Sequence, residues 1–228
     1  MVKNHLKRIA APKTWPISRK SNIFVMRPNA GKDMDLSLPI GFVLKEVLCV
    51  AETSKQAKSI IKTGNVLING KKVTDLRQSV GLFETVTLVA ENKSFRVGIS
   101  EQGKMTLVAV SASDAAHKLE KIVGKRLVKG GKMQLNFLSG HVLSTTGKHS
   151  YAVGDSVVLD DKNAVKSHLS FKKGMTAQFI GGKHIGSFGT IQSIDEQKIV
   201  VTIDGKSVET LKKYAFVVGE DKAAVTIK

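Results

Sequence analysis

The second half of the chain alternates short apolar segments with turn-forming residues, and this spacing narrows the possible folds most. From about residue 94, segments such as FRVGI, KMTLVAV, KMQLNFL and GDSVVL are separated by turn signals containing Gly, Asn, Asp or Ser. An antiparallel sheet joins such segments through tight turns, so the pattern predicts a small barrel or sandwich. One segment in this region, DAAHKLEKIV at 114–123, is instead predicted to be a short helix.

A glycine-rich hairpin dominates the C-terminal segment. The stretch FIGGKHIGSFGTIQSI, residues 179–194, holds four glycines and two basic residues. Glycine suits a backbone that turns with positive φ or that a partner approaches closely, so a phosphate-contacting bend and a bend required only by packing both remain open. The flanking segments TAQFI, KIVVTI, KSVETL and AFVVG predict a second small barrel.

Residues 37–89 combine two helices with a small sheet. Ser37 is predicted to cap a helix whose apolar positions share one face. Thr53 and Gln56 form a capping-box pattern for a second helix, and Gly64 marks its end. Lys55, Lys58 and Lys62 fall on the side of that helix opposite its apolar stripe. The face is either an ordinary solvated surface or a contact for an anion, and no acidic residue balances it within the helix.

A hairpin follows the second helix. In NVLINGKKV, Val66 and Ile68 alternate with Asn65, Leu67 and Asn69, and Asn69-Gly70 is a strong signal for a two-residue turn. The turn is followed by Lys71 and Lys72. The segment VTLV, 86–89, is predicted to return as another strand of the same sheet.

The charge of the chain points to a polyanionic partner. Lys and Arg total 36 against 19 Asp and Glu, a net charge of +17. Neutralising phosphates releases condensed counterions, which favours binding of nucleic acid to a surface of this kind. The first 32 residues contain no acid, and Pro12, Pro16 and Pro28 interrupt them. We expect this segment to be mobile in the free protein and to order as an irregular strap on RNA, with Trp15 as a stacking surface.

Several other functions are excluded or weakened by missing patterns. The sequence has no complete phosphate-loop, dinucleotide-binding, zinc-protease or serine-hydrolase motif, so catalysis is not expected. Cys49 is the only cysteine, lies in the apolar run VLCVA, and is predicted to be buried. No apolar run approaches the length of a membrane span, and the N-terminus lacks a secretory pattern, so we expect a cytosolic protein.

Two stretches resemble known RNA-binding motifs. SKQAKSIIKTGNVLINGKKV resembles the S-four RNA-binding module, and GMTAQFIGGKHIGSFGTIQSI resembles a KOW motif. HLKRIAAPKTWPI, KIVGKRLVKGGKMQLNF and ETLKKYAFVVG add a resemblance, over nearly the whole chain, to the S-four-e family of small-subunit ribosomal proteins.

The resemblance implies an α+β chain of four parts. A basic N-terminal extension spans 1–36, a small helix-rich S-four module 37–93, a central β-rich domain 94–170, and an SH3-like KOW β-barrel 171–228. It implies a ribosome-bound protein of the cytoplasm that acts in translation, with small-subunit rRNA and neighbouring ribosomal proteins as partners. No cofactor, metal, membrane or small-molecule substrate is expected.

Basic and aromatic residues in all parts but the central domain form the predicted rRNA-binding set. These are Lys3, His5, Lys7, Arg8, Lys13, Trp15, Arg19, Lys20, Arg27, Lys55, Lys58, Lys62, Lys71, Lys72, Lys172, Lys173, Lys183 and His184. Two alternatives use the same motifs: an RNA-modifying enzyme, which would need a catalytic domain, and a transcription-elongation factor, which would leave the S-four module unexplained.

Overall fold

The computed structural model describes residues 5–145, 150–220 and 223–227. These form two compact units. The first comprises the described residues up to Gly98 together with Lys104–Ala116 and Ile227. The second comprises Ile99–Gly103 and the described part of His117–Thr226.

The chain as far as Val110 forms short strands around a few helical turns. The strands are β1 (Leu6–Lys7), β2 (Phe24–Val25), β3 (Ser37–Pro39), β4 (Val66–Ile68), β5 (Lys71–Lys72), β6 (Ser79–Gly81), β7 (Thr85–Leu88), β8 (Lys93–Ile99) and β9 (Met105–Val110). Two pairs, β1–β2 and β3–β6, stand apart from a five-stranded sheet of order β5-β4-β7-β8-β9. Over the whole described chain, the α-helices are α1 (Ile40–Phe42), α2 (Ser54–Lys62) and α3 (Ala112–Ala115). Single 3₁₀ turns occur at Arg8–Ala10, Met34–Leu36, Val89–Glu91 and Lys212–Tyr214.

The first predicted helix begins later than expected. Ser37 does not cap it but lies in β3, opposite Gly81 of β6. The helix starts at Ile40, and the following turn, Val43–Val47, is π-helical. Backbone pairing with β6 holds residues 37–39 extended, so tertiary structure overrides the local capping preference of serine.

The second helix and its hairpin are confirmed. Thr53 and Gln56 form the full capping box of α2, a motif whose cap alone stabilises a helix by about 1 kcal/mol. Gly64 follows the helix with φ +77°, a conformation that glycine adopts without strain. Asn69 and Gly70 both have positive φ and join β4 to β5 as a tight turn.

The described N-terminal segment packs into the first unit, in contrast to the expected strap in which Trp15 offers a stacking surface. Trp15 is fully buried, and Ala11 and Val25 join the same apolar cluster. The Trp15 ring lies 5.4 Å from that of Phe42, and its Nε1–H donates to the carbonyl of Met34 at 3.1 Å. The described part of the segment contains the short β1–β2 pair and 3₁₀ turns but no α-helix, as the prolines predict.

The second unit begins with a five-stranded antiparallel sheet. Its strands are β10 (His117–Val128), β11 (Lys132–Phe137), β12 (Val142–Thr145), β13 (Ser156–Asp160) and β14 (Val165–Leu169). Their order is β12-β11-β10-β13-β14. The helix predicted over 114–123 is wrong, because α3 ends at Ala115 and the rest belongs to β10. Backbone pairing of residues 117–121 with β13, and of the strand from Ile122 onward with β11, outweighs the local helical pattern.

The C-terminal strands form a second five-stranded antiparallel sheet. They are β15 (Thr176–Phe179), β16 (Phe188–Ile194), β17 (Lys198–Ile203), β18 (Lys206–Leu211) and β19 (Ala215–Gly219). The order is β18-β17-β16-β15-β19. The strands match the sequence prediction, but β18 and β19 remain edges within the described residues, so the predicted closed barrel is not observed.

The protein is therefore mostly β with few helices, and the segment from Ser37 to Lys93 is not helix-rich. Cys49 is also unlike its prediction, since it is exposed and adopts a left-handed backbone with φ 53°. The apolar run around it turns directly after the π-helical segment, which points the thiol outward. None of the helices in the described part of the chain has the length and hydropathy that a membrane span requires.

Candidate nucleic-acid interface

The exposed side of α2 carries unpaired positive charge. Lys55, Lys58 and Lys62 are all exposed, whereas Ala57 and Ile61 on the opposite side are buried. The capping box fixes where the helix begins, and the apolar stripe fixes its rotation about its axis. No ion pair among the described residues involves these lysines. The face can therefore contact successive phosphates without first breaking an internal contact.

The β4–β5 hairpin adds two lysines beside this helix. Lys71 and Lys72 form β5 and are exposed. The Nζ of Lys72 lies 3.9 Å from the position that a Cβ on Gly64 would take, so this ammonium group lies at the C-terminal end of α2. Lys72 thus lies beside the exposed lysines of α2. We call the five exposed lysines of α2 and the following hairpin the helix–hairpin surface: Lys55, Lys58, Lys62, Lys71 and Lys72.

Three of the predicted N-terminal residues are used inside the protein. Arg8 is buried, ion-pairs with Glu46 and donates to the carbonyl of Ser18 at 3.1 Å. The guanidinium group of Arg19 donates to backbone carbonyls, including those of Ile9 at 2.9 Å and Pro12 at 2.9 Å. Trp15 is fully buried. Arg8 and Trp15 are therefore structural, which corrects their assignment as RNA contacts, and most donors of Arg19 are already occupied.

The other N-terminal residues keep accessible positions. His5, Lys7, Lys13 and Lys20 are exposed, and Arg27 is half-buried. His5 also meets the ring of Phe24 edge-on at 5.8 Å. Lys3 lies outside the described residues. These side chains stay in the predicted set.

In the second unit, the glycine-rich bend is explained by packing. Gly181 lies against the ring of Tyr214, and a Cβ there would come within 2.6 Å of it. At Gly186, with φ +83°, a Cβ would come within 2.0 Å of the carbonyl oxygen of Ser100. A Cβ on Gly189 would likewise come within 2.7 Å of the backbone carbonyl oxygen of Thr202. Steric need accounts for these glycines without a ligand, which favours the packing explanation over phosphate approach.

The charged residues near this bend are nevertheless open to solvent. Lys183 is exposed and His184 half-buried in the turn between β15 and β16. Lys172 and Lys173 are exposed just before β15. They remain candidate phosphate contacts on the basis of charge and exposure.

One lysine of the second unit has a strongly altered acidity. Lys121 is buried, and its Nζ donates to the backbone carbonyls of Lys213, at 3.0 Å, and Ala215. Burial, together with the nearby charge of Lys212, lowers the pKa of Lys121 from 10.5 to about 8. The same three lysines line a cavity of about 640 Å³ with Val123, Val153 and Leu211.

The sequence prediction missed a second acid-free region. Residues 121–154 contain no Asp or Glu but include Lys121, Lys125, Arg126, Lys129, Lys132 and Lys148. Lys125, Arg126, Lys129 and Lys132 are all exposed along the β10–β11 hairpin. The signal that could have found them is the one applied to the first 32 residues, a long run of cations without an acid.

Comparison with known proteins places the chain in a family. A family model described as ribosomal family S4e matches residues 91–164, and one for the RS4NT domain matches residues 2–31. The small ribosomal subunit protein eS4 of Methanococcus aeolicus is 36% identical over 240 residues, covering 99% of this chain and 98% of that protein. The chain belongs to the S4e family of ribosomal proteins.

Other S4e proteins agree in sequence and in structure. The eS4 protein of Methanocella arvoryzae is 36% identical over 233 residues, covering 99% of this chain and 98% of that protein. The crystal structure of the 30S ribosomal protein S4e from Thermoplasma acidophilum matches with a TM-score of 0.67 at 25% identity, covering 82% of this chain and 95% of that one. The family resemblance stated from the sequence motifs is therefore confirmed.

Proposed function

We propose that this chain is a structural, non-enzymatic component of the small ribosomal subunit that binds rRNA through several basic surfaces and acts in translation. The helix–hairpin surface carries the proposal, because it groups exposed lysines whose charges the described residues do not neutralise. The net charge of +17 and membership of the S4e family support it. Ribosome attachment and contacts with neighbouring ribosomal proteins form part of the same proposal.

The proposed organisation follows the four parts predicted from the sequence. Residues 37–93 serve as an S-four-type RNA-binding module that includes the helix–hairpin surface. Residues 1–36 supply exposed basic side chains beside a packed segment. The stretch 94–170 first contributes β8 and β9 to the sheet of the first unit and then forms the central β domain from His117 onward, and 171–228 form a KOW-type sheet. Each surface binds weakly alone, but their covalent connection raises the effective concentration of each at the RNA.

Fractionation of cell lysate on a sucrose gradient tests the location. We expect the protein to co-sediment with the small subunit at low salt and to be released at high salt, because exposed charge contacts are screened. A protein found only in the free fractions at low salt would contradict the proposal.

Replacing Lys55, Lys58 and Lys62 together with Gln should leave the fold intact, since the apolar stripe of α2 is unchanged. The slope of log affinity for rRNA against log salt should fall by roughly 2–3, because each neutralised phosphate contributes about 0.7–0.9. The measurement is rRNA-fragment binding between low and moderate salt, with circular dichroism to confirm folding.

A matched control removes the same charge from elsewhere. Lys93, Lys198 and Lys206 are exposed, and the first two already pair with Glu91 and Glu209. Their joint replacement with Gln should change the slope much less. Equal changes in both triple variants would show that only net charge matters and that the face of α2 is an ordinary solvated surface.

A further inference from the structure

The sheet formed by β10, β11 and β12 has one buried and one outward side. Leu135 is fully buried, and Met133 and Leu143 pack against the same cluster, so these residues define the inner side. Successive residues of a strand point to opposite sides of the sheet, so the residues next to these in each strand point outward. Directly paired residues share a side, so the register groups the outward residues of the three strands. We call this the outer face, and it consists of Gly124, Arg126, Val128, Lys132, Gln134, Asn136, Val142 and Ser144.

The position of Gly124 relative to Asn136 confirms which residues point to the outer face. A Cβ on Gly124 would lie 3.6 Å from Nδ2 of Asn136, so the two residues point to the same side of the sheet. Lys125, one position further, instead turns its Nζ to the carbonyl of Tyr151 at 3.0 Å. Successive side chains of β10 therefore point to opposite sides of the sheet, and Lys125 does not contribute to the outer face.

The outer face is basic and contains no carboxylate. Arg126 and Lys132 occupy diagonal positions on adjacent strands, and no described residue forms an ion pair with either. The backbones of diagonal neighbours lie about 7–8 Å apart, so these two like charges repel each other unless an anion lies between or beside them. Phosphates of a nucleic acid would relieve this repulsion.

The same face also offers neutral hydrogen-bonding groups on β11 and β12. Gln134 Nε2 donates to Asn136 Oδ1 at 3.1 Å, and Ser144 is paired with Gln134 across the strands. Each amide has two donors and an acceptor oxygen with two lone pairs, so one mutual bond leaves further capacity. Val128 and Val142 are 42% and 49% exposed and provide small apolar contacts beside these groups.

We propose that the outer face binds the minor groove of an RNA double helix. Arg126 and Lys132 contact phosphates, while Gln134, Asn136 and Ser144 hydrogen-bond to 2′-hydroxyl groups in the wide, shallow groove. A double helix is favoured over a single strand because none of the eight residues is aromatic, and single-strand recognition on sheets depends on stacking of bases on aromatic rings. This inference rests on the proposed function in taking RNA as the partner.

The test uses the full chain and a synthetic RNA duplex of about 20 base pairs, long enough to present successive minor grooves. Arg126→Gln with Lys132→Gln should lower the salt slope of duplex binding by about 1–2. Gln134→Ala with Ser144→Ala should leave the slope unchanged. It should reduce the preference for RNA over a DNA duplex of the same sequence by about tenfold, since two neutral hydrogen bonds are lost.

Insertion of a negative charge provides a second check. Ser144→Glu places an acid beside Gln134 on the edge strand of the outer face and should weaken duplex binding strongly. Ser167→Glu makes the same charge change at an exposed position of β14 and should have little effect. Circular dichroism and thermal melting verify that all variants are folded.

The outcomes separate this inference from the proposed function. If the outer-face variants bind the duplex normally while the Lys55, Lys58 and Lys62 variant binds it weakly, the outer face is not an RNA site and rRNA binding stands. Equal affinity of the wild type for RNA and DNA duplexes, or tighter binding to single strands, would overturn the minor-groove assignment. If no variant changes binding, both proposals fail.

Discussion

Replacing Trp15 with Ala should lower the free energy of unfolding of the first unit by about 3–5 kcal/mol, the range typical of a large aromatic removed from a core. The indole is fully buried, lies 5.4 Å from the ring of Phe42 and donates to the carbonyl of Met34. The variant leaves a cavity and an unpaired carbonyl. Urea unfolding followed by circular dichroism measures the change.

Two comparisons make this result specific. Ile23 lies in the same segment but is 71% exposed, so Ile23→Ala should change the free energy of unfolding very little. In the wild type, Trp15 is the only tryptophan, so its fluorescence should be shielded from iodide in the absence of RNA. If Trp15→Ala instead kept full stability but weakened rRNA binding, the residue would return to its predicted role as a stacking surface.

The second large effect is a pH dependence caused by Lys121. Its pKa is lowered from 10.5 to about 8, mainly by burial and further by the charge of Lys212. Between these values the unfolded chain holds a proton that the folded chain has released, so stability rises as the pH increases through this window. The largest possible gain is about 3 kcal/mol, at about 1.4 kcal/mol for each unit of pKa difference.

Lys121→Met removes this titration while keeping a side chain of similar length. We expect the wild type to gain stability relative to the variant between pH 8 and pH 10, measured by urea unfolding at each pH. Lys206→Met, at an exposed position, should follow the wild-type curve. Parallel curves for wild type and Lys121→Met would show that the buried ammonium group costs little, in which case the carbonyls of Lys213 and Ala215 compensate fully for its burial.

The sequence was most informative where structure depends on neighbouring residues. The capping box of Thr53 and Gln56, the stop at Gly64 and the Asn69-Gly70 turn all involve contacts within a few positions, and all are present. The same holds for the five C-terminal strands, whose alternation and turns are local signals. The three lysines on α2 were placed correctly because helical periodicity alone decides which residues share its exposed side.

Tertiary structure decided the features that depend on distant partners. Residues 117–123 have a helical pattern but form part of β10, because β13 supplies backbone partners for 117–121 and β11 supplies them from Ile122 onward. Whether the C-terminal sheet closes depends on the separation of β18 and β19, which no local pattern encodes. The chemistry of the outer face likewise arises from the register of three strands, because pairing places Arg126, Gln134 and Ser144 on one side.

The N-terminal segment shows the same division most clearly. Its composition, eight cations and no acid in 32 residues, correctly indicates an excess of positive charge. Composition could not show that Arg8 finds Glu46, that Arg19 binds backbone carbonyls, or that Trp15 packs on Phe42. A charged or aromatic side chain becomes a ligand contact or a structural element according to which groups folding brings within a few ångströms of it, and only the tertiary structure sets those distances.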